Sequence, residues 1–414
     1  MFLFLFLILS VLSLLSTKDV FSPAKIYLAV IFVFFGDSIF SNSKDVSFEL
    51  VISIIFIFGF LLIIAEKLGF KIKNNKFKSE SFETLPKAIV YKLWFLTLIP
   101  VVAQILFIYQ MGGITGYFIS IGERVYAWKG FGVYLLLIRL ISIISYCYFY
   151  YMMIHVSNRK NKIFFLLHFL IFISLALLSG SRSMLLWNLV YMVILFHYMR
   201  HRVNFGKALL SFGVVVFLAM MLGAIRDGYK MDDNGFSTGV DFSEKLLNMA
   251  NFTYGTKPIH LLLDINDGYD YSMGKTYLTI FSNLVPRGLW PDKPDPGGIV
   301  FTRDILGDPF GGFSYYSTGI FGEAFINFGL VFGSIFAVVQ LFILYLFFAK
   351  YISSVNNSKE ISKYRNLIGY YPFLLLGIPA YLYAEFTTNT LSMFFFKIFL
   401  FYLVIKFTRV RVKV

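Results

Sequence analysis

Three polar clusters interrupt an otherwise apolar sequence, and each carries groups that could do chemistry. The first is Ser179-Gly180-Ser181-Arg182-Ser183, directly before a helical run. The N-terminus of that helix would aim unpaired N–H groups and a positive dipole end at a ligand. Arg182 and the hydroxyls of Ser181 and Ser183 stand beside it, a combination suited to phosphate or pyrophosphate. The same residues also suit a plain turn, in which Gly180 reverses the chain, Ser181 caps the helix and Arg182 reaches lipid headgroups.

The second cluster runs from Ser282 to Pro294 and contains Pro286-Arg287-Gly288-Leu289-Trp290-Pro291-Asp292-Lys293. Its apolar approach, Tyr277 to Leu284, suits a membrane surface, Trp290 suits the interface, and the prolines fix the turn that carries Arg287 and Lys293. An amphipathic surface helix followed by a rigid turn explains the same pattern without a ligand. The third cluster, Ser314 to Gly329, holds Gly322-Glu323-Ala324-Phe325-Ile326-Asn327 and leads into a long apolar run. From Thr318 to Phe348 a helix would span roughly 46 Å, against a bilayer core of about 30 Å. Its first turns should therefore stand above the bilayer with Glu323 at the rim. A carboxylate there can act as a base, or simply favour the helix dipole. Gly329 and Gly333 form a small-xxx-small spacing suited to close helix packing.

Arg226, Arg303 and Arg124 lie on further segments of the same side, and their recurrence favours an anionic ligand over isolated headgroup contacts. Metal chemistry is poorly provided for. The aspartates give no convincing ligand set and His260 has no histidine near it, so no metal is expected. The lone Cys147, in an apolar run, reads as a packing residue. Arg139 and Lys397 are charges within apolar runs, with Glu385 and Asp37 as candidate partners. There is no Gly-rich ATP loop and no G-x-S-x-G nucleophile elbow.

The elements that position these clusters follow from composition. Of 414 residues, 58% are hydrophobic and only 14% charged, with a mean hydropathy of +0.73. Soluble domains carry about 25% charged residues. Apolar runs near the spanning length fall at about 1–15, 21–40, 48–65, 89–110, 131–154, 163–179, 184–199, 208–224, 318–348, 367–384 and 391–407. The expectation is an all-α polytopic membrane protein with about eleven transmembrane helices, forming a single membrane domain over 1–414. The first run lacks the basic n-region of a signal peptide and reads as a retained helix. Residues 225–317 form a large, partly helical extracytoplasmic loop, expected to fold as a cap.

The net charge of +14 would point to nucleic acid in a soluble protein. Here the basic residues sit between apolar runs and instead set orientation. One set of alternate loops carries Lys18, Lys25, the lysines of 67–87, Arg159, Lys160, Lys162, Arg200, Arg202, Lys207 and further lysines and arginines from Lys350 to the C-terminus. The other short loops carry Lys44, Arg124, Lys129 and Arg182. This places the N-terminus outside and the C-terminus in the cytoplasm.

Taken together, Ser179–Ser183, Val285-Pro286-Arg287-Gly288-Leu289-Trp290-Pro291-Asp292-Lys293-Pro294 and Gly322–Gly329 resemble the bacterial oligosaccharide repeat-unit polymerases, the O-antigen polymerase (Wzy) family. The layout matches over nearly the whole chain, and the Pro-Arg to Trp-Pro-Asp-Lys-Pro stretch is its most specific part. The resemblance implies a membrane glycosyltransferase of the lipid-phosphosugar-dependent, GT-C-like type in the bacterial cytoplasmic membrane, without metal or other cofactor. It would transfer a growing glycan from undecaprenyl pyrophosphate to a lipid-linked repeat unit, building O-antigen, capsular or exopolysaccharide chains at the outer face. Membrane lipids, a chain-length regulator and a flippase are the partners implied, and no nucleic acid.

By that resemblance Arg182 and Arg287 match family motifs and would bind donor pyrophosphate, helped by Ser181 and Ser183. Arg303 and Arg226 join them by position only. Glu323 is the candidate base for the acceptor hydroxyl, and His260 the runner-up. Two other readings stay open. An O-antigen ligase would use the same donor with a lipid A core acceptor. A non-enzymatic lipid-glycan flippase or exporter would line a central path with charges, whereas here the anion-binding candidates gather on one face.

Overall fold

A bilayer core offers the backbone no hydrogen-bonding partners, so runs this apolar must satisfy their peptide groups internally, as helices. The computed structural model describes residues 2–40, 45–73, 84–122, 127–128, 130–179, 182–211, 213–214, 217, 230–232, 235–237, 254–265, 268–285, 289–308 and 316–409. Among these the chain is predominantly helical, with one short hairpin pairing Lys230–Asp232 with Gly235–Ser237.

Six helices are long and apolar enough to cross a membrane: Val46–Lys67, Lys87–Gln110, Gly132–Ile154, Arg159–Leu178, Gly319–Asn356 and Phe386–Thr408. Phe2–Ser16, Pro23–Phe34 and Ser183–Met199 are shorter apolar helices. The expected count of eleven is therefore not reproduced, for local reasons. The run 21–40 breaks at Phe35 into Pro23–Phe34 and Gly36–Phe40. The Phe34 carbonyl at that break accepts from Gly255 N–H at 2.8 Å. The run 367–384 divides between the end of Ile361–Gly377 and the 3-10 turn Pro379–Leu382. Much of the run 208–224 lies outside the described residues.

The described fold divides into two compact units. The first comprises Met1–Asn74, Asn251–Tyr364 and Phe373–Phe396. Its helices are joined by polar side chains acting as caps. Pro23 opens one helix, and the buried Glu66 carboxylate, from Val46–Lys67, accepts Ala24 N–H at 2.7 Å and the Ser16 hydroxyl at 3.1 Å. The Ala24 N–H is one of the orphan donors in the first turn of that helix, and the Glu66 side chain satisfies it. Tyr27 donates to the Ile55 carbonyl at 2.9 Å and packs edge-on to Tyr345.

The second unit comprises Asn75–Ala250, Arg365–Pro372 and Lys397–Val414. Phe107, Tyr117 and Trp128 form an aromatic core, with Tyr117 donating to the Leu178 carbonyl. Cys147 is fully buried among helices, as a packing residue should be. Some basic residues near helix ends serve as C-caps for neighbouring helices. Arg200 donates to the carbonyls of Met152 and His155 at 3.2 and 2.9 Å, and Lys92 to that of Phe407 at 3.0 Å. Cations favour exposed terminal carbonyls in just this way. Lys397 lies over the Tyr191 ring rather than with a carboxylate.

Candidate functional site

The site is built by a broken helix in the first unit. Gly319–Asn356 is interrupted at Gly329, whose φ of 71° and ψ of 179° are accessible in practice only to glycine. A Cβ there would lie 2.7 Å from the Tyr271 hydroxyl. The break frees carbonyls that a helix would have used, and the segment 269–274 takes them up. Ser272 N–H donates to the Ile326 carbonyl, Met273 N–H to that of Asn327, and the Tyr269 hydroxyl to that of Phe325, at 3.0, 3.2 and 3.3 Å. Met273 itself has a positive φ of 46°, a conformation costly for its side-chain type. A Cβ at Gly333 would meet the Ala324 carbonyl at 2.7 Å, so this glycine serves its own helix across the kink. The small-residue spacing thus marks a bend within one helix.

The kink fixes Asn327 and Glu323. Asn327 Oδ1 accepts Gly274 N–H at 2.8 Å, and its Nδ2 donates to Thr276 Oγ1 and to the Glu323 carbonyl, both at 2.7 Å. Glu323 is fully buried within the protein. Its Oε1 accepts the hydroxyls of Thr276 and Thr387 at 3.1 and 3.0 Å, and its Oε2 accepts Thr387 N–H at 3.3 Å. These three donors favour the ionised form of the carboxyl, against the cost of burying its charge. Gly297 passes so close that a Cβ on it would sit 3.1 Å from Glu323 Cγ. Glu385 is buried nearby and accepts the Thr388 hydroxyl at 2.9 Å. Burial first, then the Glu323 carboxylate, push its carboxyl above the usual range.

Thr276 joins this buried centre to an open cleft of about 780 Å³. Tyr269, Tyr271, Asp270 and Ser272 line one side of it, and Lys275, Lys293, Asp295, Arg303 and Asp304 supply charge of both signs. Tyr269 and Tyr271 meet at 85° with ring centres 5.7 Å apart. Planar rings beside mixed charges and hydroxyls suit a polar ligand with apolar faces, as sugars are.

The elements under the cleft have an inverted pattern. In Lys275–Leu278 and Thr279–Ser282 the buried residues are Thr276, Thr279 and Ser282, while Leu278, Phe281 and Leu284 are exposed, Phe281 by 73%. Polar side inward and apolar side outward is the arrangement of a surface that meets lipid. Leu289 and Trp290 extend the exposed apolar face.

Of the other candidates from the sequence, the structure describes only some. Arg303 borders the cleft, with its guanidinium bound to Asp304 at 2.6 Å and Asp295 at 2.8 Å, so an incoming anion would have to exchange with these carboxylates. Lys293 donates to the carbonyls of Ser282 and Val285 at 3.3 and 2.9 Å. His260 stacks on Phe48 with ring centres 3.6 Å apart, in the neighbourhood of Asp37, to which the Thr256 hydroxyl donates. None of the contacts described for Glu323 involves His260. Arg182 begins the Arg182–Met199 helix and Ser183 is exposed on its first turn. The Arg182 side chain, Ser181, Arg226, Arg287 and Arg124 lie outside the described residues. Among the described residues no three His, Cys, Asp or Glu side chains gather to hold a metal ion.

Thr276, Thr387, Glu385 and Gly297 were not singled out for the site from sequence. The run Glu385-Phe386-Thr387-Thr388-Asn389-Thr390, polar between apolar segments, was the available signal.

Fold and site together describe a multi-pass membrane protein with a buried carboxyl centre beside a polar cleft. Over 249 residues the chain is 25% identical to the O-antigen polymerase of Salmonella typhimurium, covering 57% of this chain and 53% of that protein. The O-antigen polymerase of Salmonella typhi matches to the same extent. The chain spans about half the length of the curated relatives it matches. No family model and no solved structure matches it.

Proposed function

We propose that this protein is a polysaccharide polymerase of the cytoplasmic membrane, a GT-C-like glycosyltransferase that joins undecaprenyl-pyrophosphate-linked repeat units at the outer face. The observation that carries the reading is the cleft wall residue Thr276, hydrogen-bonded to a buried carboxylate beneath it. The likeness to O-antigen polymerases supplies the substrate class.

In this reading the cleft binds the acceptor glycan, with Tyr269 and Tyr271 against a sugar face. The acceptor hydroxyl gives its proton to Thr276 Oγ1 as the Thr276 proton moves to Glu323. The acceptor oxygen bonds to the anomeric carbon, and the bond to pyrophosphate breaks with its electron pair leaving on the pyrophosphate. Asn327 Nδ2 uses one lone pair of Thr276 Oγ1 and leaves the other free to receive the proton. Glu323 thus acts as general base through one hydroxyl, a role that supplies about 10²–10⁴ in rate. Arg182 and Arg287 are each assigned to pyrophosphate, with Arg226, Arg303, Ser181 and Ser183 as further candidates, in a metal-independent reaction. The exposed apolar residues Leu278, Phe281 and Leu284 hold the cleft floor at the lipid surface where such a substrate lies.

The N-terminus is proposed to lie outside and the C-terminus in the cytoplasm, with a flippase and a chain-length regulator as functional partners. Deleting the gene tests the class. Loss of long chains with single capped repeat units retained is the expected result. Absence of capped units points to a ligase, and lipid-linked units trapped inside point to a flippase.

A further inference from the structure

Three carboxyl side chains are fully buried among the described residues: Glu66, Glu323 and Glu385. Glu66 is accounted for as a cap on Pro23–Phe34. Glu385 has no role in the chemistry above, and its environment differs from that of Glu323. One oxygen accepts the Thr388 hydroxyl, while the other, Oε1, is buried without a hydrogen-bond partner. Glu323 receives three donors.

The groups that act on this pair come from every element around it. Tyr277 and Tyr381 face Glu323, Tyr254 faces Glu385, and the Gly298 amide approaches Glu385. Among the described residues, no Lys, Arg or His is one of the leading influences on either carboxyl. Two adjacent buried carboxyls without a cation cannot both be ionised, as in the paired carboxyls of aspartic proteases. The donor count decides which one keeps the proton. Hydrogen bonds to a carboxylate favour its ionised form, so the anion belongs on Glu323 and the proton on the donor-poor partner.

We propose that Glu385 is the protonated member of a one-proton carboxyl pair with Glu323, a positioning residue that keeps the pair at a single negative charge so that Glu323 is free to act as base. The catalytic part of this rests on the polymerase reading, while the shared proton does not. A neutral Glu385 leaves one carboxylate beside the Thr276 hydroxyl, able to take the proton that the hydroxyl relays. When both carboxyls ionise, their repulsion works against the packing around Gly297 and Gly298.

The test is thermal unfolding of the purified full chain in detergent from about pH 5 to about pH 9. A carboxyl whose folded-state pKa is raised contributes stability that is present at low pH and lost as pH rises through the raised value. Wild type should lose stability toward alkaline pH, and Glu385→Gln, a neutral isostere, should lack that loss. An unchanged alkaline loss in Glu385→Gln overturns the assignment. If that variant does not accumulate, Glu323→Gln reads the pair from the other side. With a neutral neighbour the alkaline loss should shrink, and an undiminished loss overturns the proposal. These scans need no glycan, so their failure is distinct from failure of the polymerase reading. In cells where wild type makes polymer, Glu385→Gln should keep polymer within about tenfold of wild type, since it retains the base. Abolished polymer in a normally inserted Glu385→Gln overturns the positioning role.

Discussion

At the residue scale, Glu323 was legible from its place in Gly322–Gly329, but its surroundings were not. The hydroxyls that hold it come from Thr276 and Thr387, 47 and 64 residues away in sequence, and no local spacing announces such partners. Arg303 was legible as a charge on a polar segment beside Asp304, while its pairing with Asp295, eight residues back, needed the fold. The side chains of this network define two expectations. Thr276→Val removes the hydroxyl that bridges Asn327 and Glu323, leaving a buried amide donor unpaired at a cost of about 1–3 kcal/mol, and should abolish polymer. Thr276→Ser keeps the hydroxyl and should retain both, as read from melting temperature and polymer length on gels. Arg303→Ala should change stability by no more than about 1 kcal/mol, because its ion pairs are solvent-exposed. A drop in activity at unchanged stability would then assign it to the substrate.

At the element scale, the apolar run after Thr318 reads as one overlong helix whose first turns stand above the bilayer, whereas the structure breaks that helix at Gly329. The break at Gly329 was hidden because glycine at this spacing also reads as a helix-packing motif. What identifies the kink is the segment 269–274, which supplies donors to the freed carbonyls. Gly329→Ala places a Cβ in a backbone region close to glycine-only and against Tyr271, so it should destabilise by about 1–3 kcal/mol. A melting curve of the detergent-solubilised protein identical to wild type would contradict this. Gly297→Ala should mainly displace Glu323, with activity falling more than stability.

At the scale of the whole molecule, composition and hydropathy were enough to establish a multi-pass helical protein, because lipid leaves the backbone few choices. Span number was less legible. Phe35 ends one helix inside an apolar run, and the end of Ile361–Gly377 before the 3-10 turn Pro379–Leu382 divides another, changes that mean hydropathy does not register. The inverted pattern of Thr276, Thr279 and Ser282 inside with Leu278, Phe281 and Leu284 outside was present in sequence but needed the fold to give it direction. Because Cys147 is fully buried, cysteines introduced at the exposed Asp292 and Lys160 can report topology. A membrane-impermeant maleimide on whole spheroplasts should label Asp292→Cys and spare Lys160→Cys, and the reverse pattern would invert the orientation. The central claim is that Glu323 is the base of a polymerase, and it is tested most directly by the polysaccharide ladder of a gene-deleted strain complemented with Glu323→Gln. With the variant inserted at wild-type levels, the expected ladder collapses to single capped repeat units, a loss of about 10²-fold or more in polymer. A full-length ladder from that strain would contradict the account.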